Sequence, residues 1–143
     1  ALVGTPRSID DLDISCYIIF SVDEDRNAAR DAARPLIAHY VMQIPDMTRY
    51  QSAGLDIPMM EGLQCELRTA FKGNGFKDAI AKIPDVVVDA LAVTGTPPEC
   101  IERLKAYAAA GIKTPVLYHV LGPDRLEAND VIADSVRPRL LAA

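Results

Sequence analysis

Apolar positions along the chain fall into short runs that alternate between two periods. Ile14–Phe20 (Ile-Ser-Cys-Tyr-Ile-Ile-Phe) is β-branched, aromatic and apolar at nearly every position. That pattern predicts a strand buried on both faces, as in a parallel sheet. Ser21 or Asp23 can then cap a helix, and the acidic run Asp23-Glu24-Asp25 suits its positive N-terminus. Ala29, Ala33, Leu36, Ile37, Tyr40 and Val41 recur at helical spacing, which carries the helix to about Val41. Pro35 removes a backbone donor inside it and predicts a kink or a break.

From Gln43 to Pro84 the punctuation changes. Pro45, Gly54, Pro58, Gly62, Gly73, Gly75 and Pro84 interrupt the pattern, leaving room for short helices at Met59–Phe71 and Phe76–Ile83 and for no strand. Met42, Met47, Met59 and Met60 lie in or beside this stretch, as core filler or as the lining of a pocket. Val86–Val93 is apolar except for Asp89; it predicts a helical turn capped by Asp85 and then a short strand, Leu91-Ala92-Val93. Thr96-Pro97-Pro98-Glu99 is the clearest local signal: a capping hydroxyl, a proline at the first helical position and a glutamate at the third. Ile101, Leu104 and Ala108 share a face, and Gly111 stops the helix in the left-handed cap position. Pro115–Val120 is the next strand, Gly122-Pro123 a turn, and Leu126, Val131, Ile132, Val136 and Leu140 mark a last amphipathic helix. Strands alternating with helices imply a parallel sheet with right-handed crossovers.

Composition then narrows the classes. A chain of 143 residues, 50% hydrophobic, has the length and apolar content of one packed domain rather than a disordered chain. Fifteen basic against twenty acidic residues give a net charge of −5, with no basic stripe, so nucleic acid is not the expected partner. No run approaches the ~18–20 apolar residues of a membrane span, and the first residues carry no secretory-signal pattern. Cys16, Cys65 and Cys100 are odd in number and widely spaced, which reads as reduced thiols in a cytoplasmic protein rather than a disulfide framework. With only His39 and His119, a multi-histidine metal site is nearly excluded.

Asp89 to Gly111 reads DALAVTGTPPECIERLKAYAAAG. This resembles the C-terminal signature of the luciferase-like monooxygenase superfamily: a short strand, Gly-Thr-Pro, an amphipathic helix, Ala-Gly, and a last barrel strand. Gly95-Thr96-Pro97-Pro98-Glu99 opens the helix here and Ala110-Gly111 closes it. Pro115–Val120 falls where the eighth strand belongs, and Asp124–Leu141 where the eighth helix belongs. Ile14–Phe20 with Asp23–Tyr40 resembles the sixth strand and helix. The resemblance implies an α/β fold, the C-terminal portion of a (β/α)₈ TIM barrel, about strands 6–8, carrying a helical insertion. The units would be residues 14–41, the insertion 43–84, and the last two strand–helix units within 86–143, all in one partial barrel domain over 1–143.

By the same resemblance the protein is a flavin- or F420-dependent oxidoreductase, using FMN or coenzyme F420 for hydride transfer or oxygen activation on a small-molecule substrate. A barrel needs ~250 residues, so the missing N-terminal half or a second copy would complete it, and family barrels are often homo-oligomers. The alternative is a non-catalytic α/β interaction or flavin-carrier module that oligomerises to complete its sheet, because three strands leave pairing edges.

Barrel chemistry sits at the C-terminal ends of the strands, which picks out Phe20-Ser21, Thr94-Gly95-Thr96 and His119–Gly122. Gly95 and Thr96 present backbone donors at a helix N-terminus, a neighbour for an anion or a cofactor phosphate; equally, Thr96 can only cap its helix and Gly95 only make the turn. His119 lies near a strand end and can donate to cofactor or substrate, or be a satisfied structural histidine. Asp89 is either a buried acid near the rim or a solvated helix-end acid. No residue pattern names a catalytic acid or base, and Gly73-Asn74-Gly75 lacks the preceding strand that a phosphate cradle needs.

Overall fold

The computed structural model describes residues 8–141. Three parallel strands form one sheet: β1 (Ser15–Val22), β2 (Val93–Gly95) and β3 (Thr114–Leu121). Seven helices accompany them: α1 (Arg26–Gln43), α2 (Ile57–Asn74), α3 (Phe76–Ile80), α4 (Asp85–Leu91), α5 (Pro97–Ala109), α6 (Arg125–Val131) and α7 (Arg137–Leu141). A π-helical turn, Ile132–Val136, joins α6 to α7.

Side chains alternate across a strand, and β1 is buried on both faces from Ile18 onward, while Ser15 and Tyr17 are exposed. Cys16, Ile18, Phe20 and Val22 pack with Val93, with Cys100, Ile101 and Leu104 of α5, and with Ala128 and Val136. Ile19 faces the other way, onto a cluster built from Ala33, Ile37 and Val41 of α1 and from the insertion. The apolar run Ile18–Phe20 has this double burial as its cause.

The sheet order is β2-β1-β3. Successive barrel strands pair with one another; here β1, not β2, stands in the middle. β2 pairs only with Phe20, Ser21 and Val22 at the end of β1, whereas β3 pairs with β1 from Ser15 to Ser21. The full-length neighbours are β1 and β3, and Val93–Gly95 is a short flanking strand. It is short because α4 runs to Leu91 before it and Pro97 starts α5 after it. The step from β1 to β2 and the step from β2 to β3 run in opposite directions across the sheet. Right-handed crossovers in opposite directions land on opposite faces, which is why α1 covers one face and α5 the other.

Local signals and structure diverge at several points. Asp25 caps α1, accepting from the Asn27 amide at 2.8 Å, in place of Ser21 or Asp23. Pro35 sits inside an unbroken 18-residue α1, because its missing donor costs one bond while the buried face on either side holds the helix to the sheet. Asp85 begins α4 rather than capping it, and the strand expected at Leu91–Val93 lies at Val93–Gly95. Gly111 takes φ +96 beyond α5, the left-handed position expected of it. Met42, Met47 and Met60 are buried core filler, and Met59 is exposed.

The insertion is held to α1 by its helix end. The last carbonyls of a helix lack internal partners. Gln64 of α2 donates to the Val41 and Ile44 carbonyls at 2.6 and 2.7 Å, and Arg68 donates to the Met42 carbonyl at 2.7 Å. Gln64→Ala is expected to lower stability by about 1–2 kcal/mol, from two lost bonds at a partly buried site. Urea unfolding checks this; a change under a few tenths would show that water replaces the glutamine without cost.

Candidate functional site

The C-terminal ends of all three strands converge on one rim. The Asp23 amide, just past β1, donates to the Gly95 carbonyl at 3.2 Å. Gly122, just past β3, lies so close to β1 that a Cβ there would meet the Val22 carbonyl oxygen at 2.6 Å. The segments singled out from sequence, around Ser21, Thr94–Thr96 and Leu121–Gly122, are therefore brought together. His119 falls within β3, and its side chain lies outside the described ones.

Two features set the rim apart from the rest of the sheet. First, Ser21 and Thr94 are paired in register and are the buried polar residues among the described ones, at 0% and 6% exposure. Neither hydroxyl has a hydrogen-bond partner among the described residues, although buried polar groups are normally paired. Second, the pairing of β1 with β3 shifts between Ile19 and Ser21, and Leu121 takes φ +70. Bulges and left-handed non-glycine residues concentrate near functional sites, where the surrounding structure holds the strain.

The Gly95–Thr96 turn is fully occupied by its own helix. The Thr96 amide donates to Glu99 Oε2 at 3.0 Å, and the Thr96 hydroxyl caps the Glu99 amide in return. Gly95 takes φ +136, and a Cβ on it would meet Glu99 Oε2 at 2.5 Å. Arg26 at the start of α1 pairs with the same carboxylate, tying the entries of α1 and α5 together. Beneath the turn, burial pushes the Cys100 thiol up to about 12, so it packs as a small apolar group near the Ser21 and Gly95 carbonyls. Among the described residues, no three His, Cys, Asp or Glu side chains are grouped to hold a metal ion, and no helix is long and apolar enough to cross a membrane.

Sequence reading missed the ionic lattice between α1 and α4. Arg30 forms a bidentate pair with Asp89, at 2.9 and 2.6 Å, and reaches Asp85 at 3.4 Å. Arg34 binds Asp85, Asp31 and the Ile83 carbonyl. Asp89 is thus half-buried and paired, neither of the roles expected of it. Apart from Asp31, three residues from Arg34, the partners lie 49 to 59 residues away and leave no local signal. The Arg34 guanidinium holds the Asp85 carboxyl below the usual carboxylate range. A carboxylate lowered in the folded state stabilises above its unfolded value, ~4, and loses that contribution as pH falls through the lower folded value. The urea midpoint is therefore expected to drop below about pH 4. Asp85→Asn should start lower at neutral pH and fall less on acidification; parallel curves for the two proteins would remove Asp85 from the account.

Comparison with known proteins gives a consistent set of relatives. The family described as luciferase-like monooxygenase matches residues 5–114. A 5,10-methylenetetrahydromethanopterin reductase of Archaeoglobus fulgidus is 30% identical over 139 residues, covering 97% of this chain and 42% of the relative. The reductase of the same name from Methanopyrus kandleri is 26% identical, covering 92% of this chain and 36% of the relative. The solved coenzyme F420 dependent tetrahydromethanopterin reductase of Methanopyrus kandleri superposes with a TM-score of 0.82 at 25% identity, over 94% of this chain and 37% of that one. The chain spans about two-fifths of the length of the curated relatives it matches. Most of its length falls within one family match, and nearly all of it superposes on a solved reductase: the chain belongs to the luciferase-like monooxygenase family.

Proposed function

We propose that this chain is the C-terminal portion of a (β/α)₈ oxidoreductase that uses coenzyme F420, rather than FMN, to exchange hydride with a small organic substrate. Further polypeptide supplies the remaining strands. The observation that carries this reading is the superposition on an F420-dependent reductase over 94% of the chain but only 37% of the reductase. The deazaflavin would carry the redox chemistry, and the protein's part is binding and orientation.

The Gly95–Thr96 turn does not fit a cofactor phosphate. A phosphate needs free amides or cations at a helix N-terminus; here the Thr96 amide is taken and the Glu99 carboxylate adds like charge. Gly95 and Thr96 instead hold the rim in shape, Ser21 and Thr94 are the hydroxyls that would meet a polar group beneath it, and His119, in the shifted stretch of β3, would neighbour cofactor or substrate.

Titration of F420 and of FMN, followed by absorbance, tests the reading in the protein that contains this chain together with its remaining strands. Binding and reduction of F420, with FMN failing to compete, is the expected result. Preference for FMN would overturn the cofactor assignment. Turnover of F420 by the isolated 143-residue chain would overturn the need for further polypeptide.

A further inference from the structure

We propose that the groove between α5, the first half of β3 and the C-terminal helix is a binding site for an amphipathic carboxylate. The apolar chain would lie along the groove, with its carboxylate held by the cations that line it. The site lies away from the rim and stands whichever cofactor the rim takes.

The groove holds about 630 Å³, within the range of small-molecule sites. Two of its lining residues, Leu104 of α5 and Val136 of the π-helical turn, belong to the buried core. Four more, Ile112, Leu117, Ile132 and Leu140, are left only half-buried around the same space. The elements that carry them already pack on one another: α5 touches β3, the π-helical turn and α7. The groove therefore lies between packed elements and is not a face awaiting one. The turn Ile132–Val136 contributes both its first and its last residue to the lining. Such π-helical turns are rare, and within helices they are frequent at functional sites.

Charge fixes the class of ligand. The chain carries −5 overall, yet the groove is lined by Lys105, Lys113 and Arg137 and by no acid. One cation comes from each side: α5, the link into β3, and the start of α7. Lys105 also pairs with Glu102 at 3.1 Å, and the C-terminal end of α5 adds about half a negative charge. Arg137 enters none of the ion pairs among the described residues, and its planar fork matches a carboxylate. Lysine and arginine stems extend the apolar walls up to the charged heads. Such a lining is complementary to an alkyl chain ending in a carboxylate and opposes an alkyl cation. Roughly 17 Å of strand, at ~3.3 Å per residue, separates Leu117 from Gly122 at the rim, so this site is distinct from the one at the strand ends.

The probe is decanoate, kept below its micelle concentration and added to the protein that contains this chain with its remaining strands. Calorimetry should give a Kd on the order of 100 µM. Decanol should bind about tenfold more weakly, and decyltrimethylammonium should not bind. Amide exchange read by mass spectrometry should slow across residues 132–140. Arg137→Gln, at an exposed side chain, should weaken decanoate about fivefold while leaving decanol binding and the unfolding midpoint unchanged. Ala108→Phe, also at an exposed position, should fill the groove and abolish binding of both. Equal binding of decanol and decanoate would overturn the anionic class. No binding at millimolar decanoate, or protection only outside the groove, would overturn the site. So would co-sedimentation with phosphatidylglycerol vesicles that Arg137→Gln abolishes, since the cations would then serve a membrane surface.

Discussion

Phe20→Ala should be the most damaging single substitution in the sheet, costing about 3–5 kcal/mol. Phe20 is 0% exposed in the central strand. It packs in the cluster that joins β1 and β2 to α5 and the C-terminal helix, and it stands opposite Val93, where the short β2 begins to pair. Truncation removes apolar contact and leaves a cavity that three rigid elements cannot close. Against a total stability of order 5–15 kcal/mol, the loss should lower the melting temperature by about 10 °C. Phe20→Leu, which keeps most of the volume, should cost under about 1.5 kcal/mol. Calorimetry separates the two; similar losses for both would show that ring shape rather than volume is decisive.

Gly95→Val should cost about 3 kcal/mol by a different route. At φ +136 a β-branched residue is strained by roughly 1–3 kcal/mol. Its Cβ would also occupy the place of the Glu99 carboxylate, so the capping box is lost, about 1 kcal/mol more, and Arg26 loses its partner. Adding Glu99→Ala relieves the clash but not the backbone strain. The double variant should therefore be no worse than Gly95→Val alone, a non-additivity expected of groups in contact. Urea unfolding of both singles and the double reads the cycle; full additivity would show that Glu99 and position 95 act separately.

Much of the local structure was legible because it rests on near neighbours. The apolar run at Ile14–Phe20 became β1 with its end moved to Val22. Thr96 and Glu99, three residues apart, formed the expected capping box. The insertion was read as helical, with α2 three residues longer than expected at its C-terminal end and the turn Met47–Ala53 unseen. The rim was legible in part: its three segments follow from strand ends, but the unpaired hydroxyls of Ser21 and Thr94 follow only from burial. The meeting of Arg26 with Glu99, 73 residues apart, and the gathering of all five tyrosines around one cavity have no trace in spacing.

The sequence by itself determined most of the elements, the capping box of α5 and the family, since periodicity, capping and short motifs act within a few residues. The tertiary structure alone decided that β1 stands between β2 and β3. Strand order depends on which edges meet after α4 and Pro97 have cut β2 to three residues, and on right-handed crossovers sending α1 and α5 to opposite faces. That same order leaves the lower edge of β1 open, a property of how the chain returns to the sheet rather than of any residue in β1.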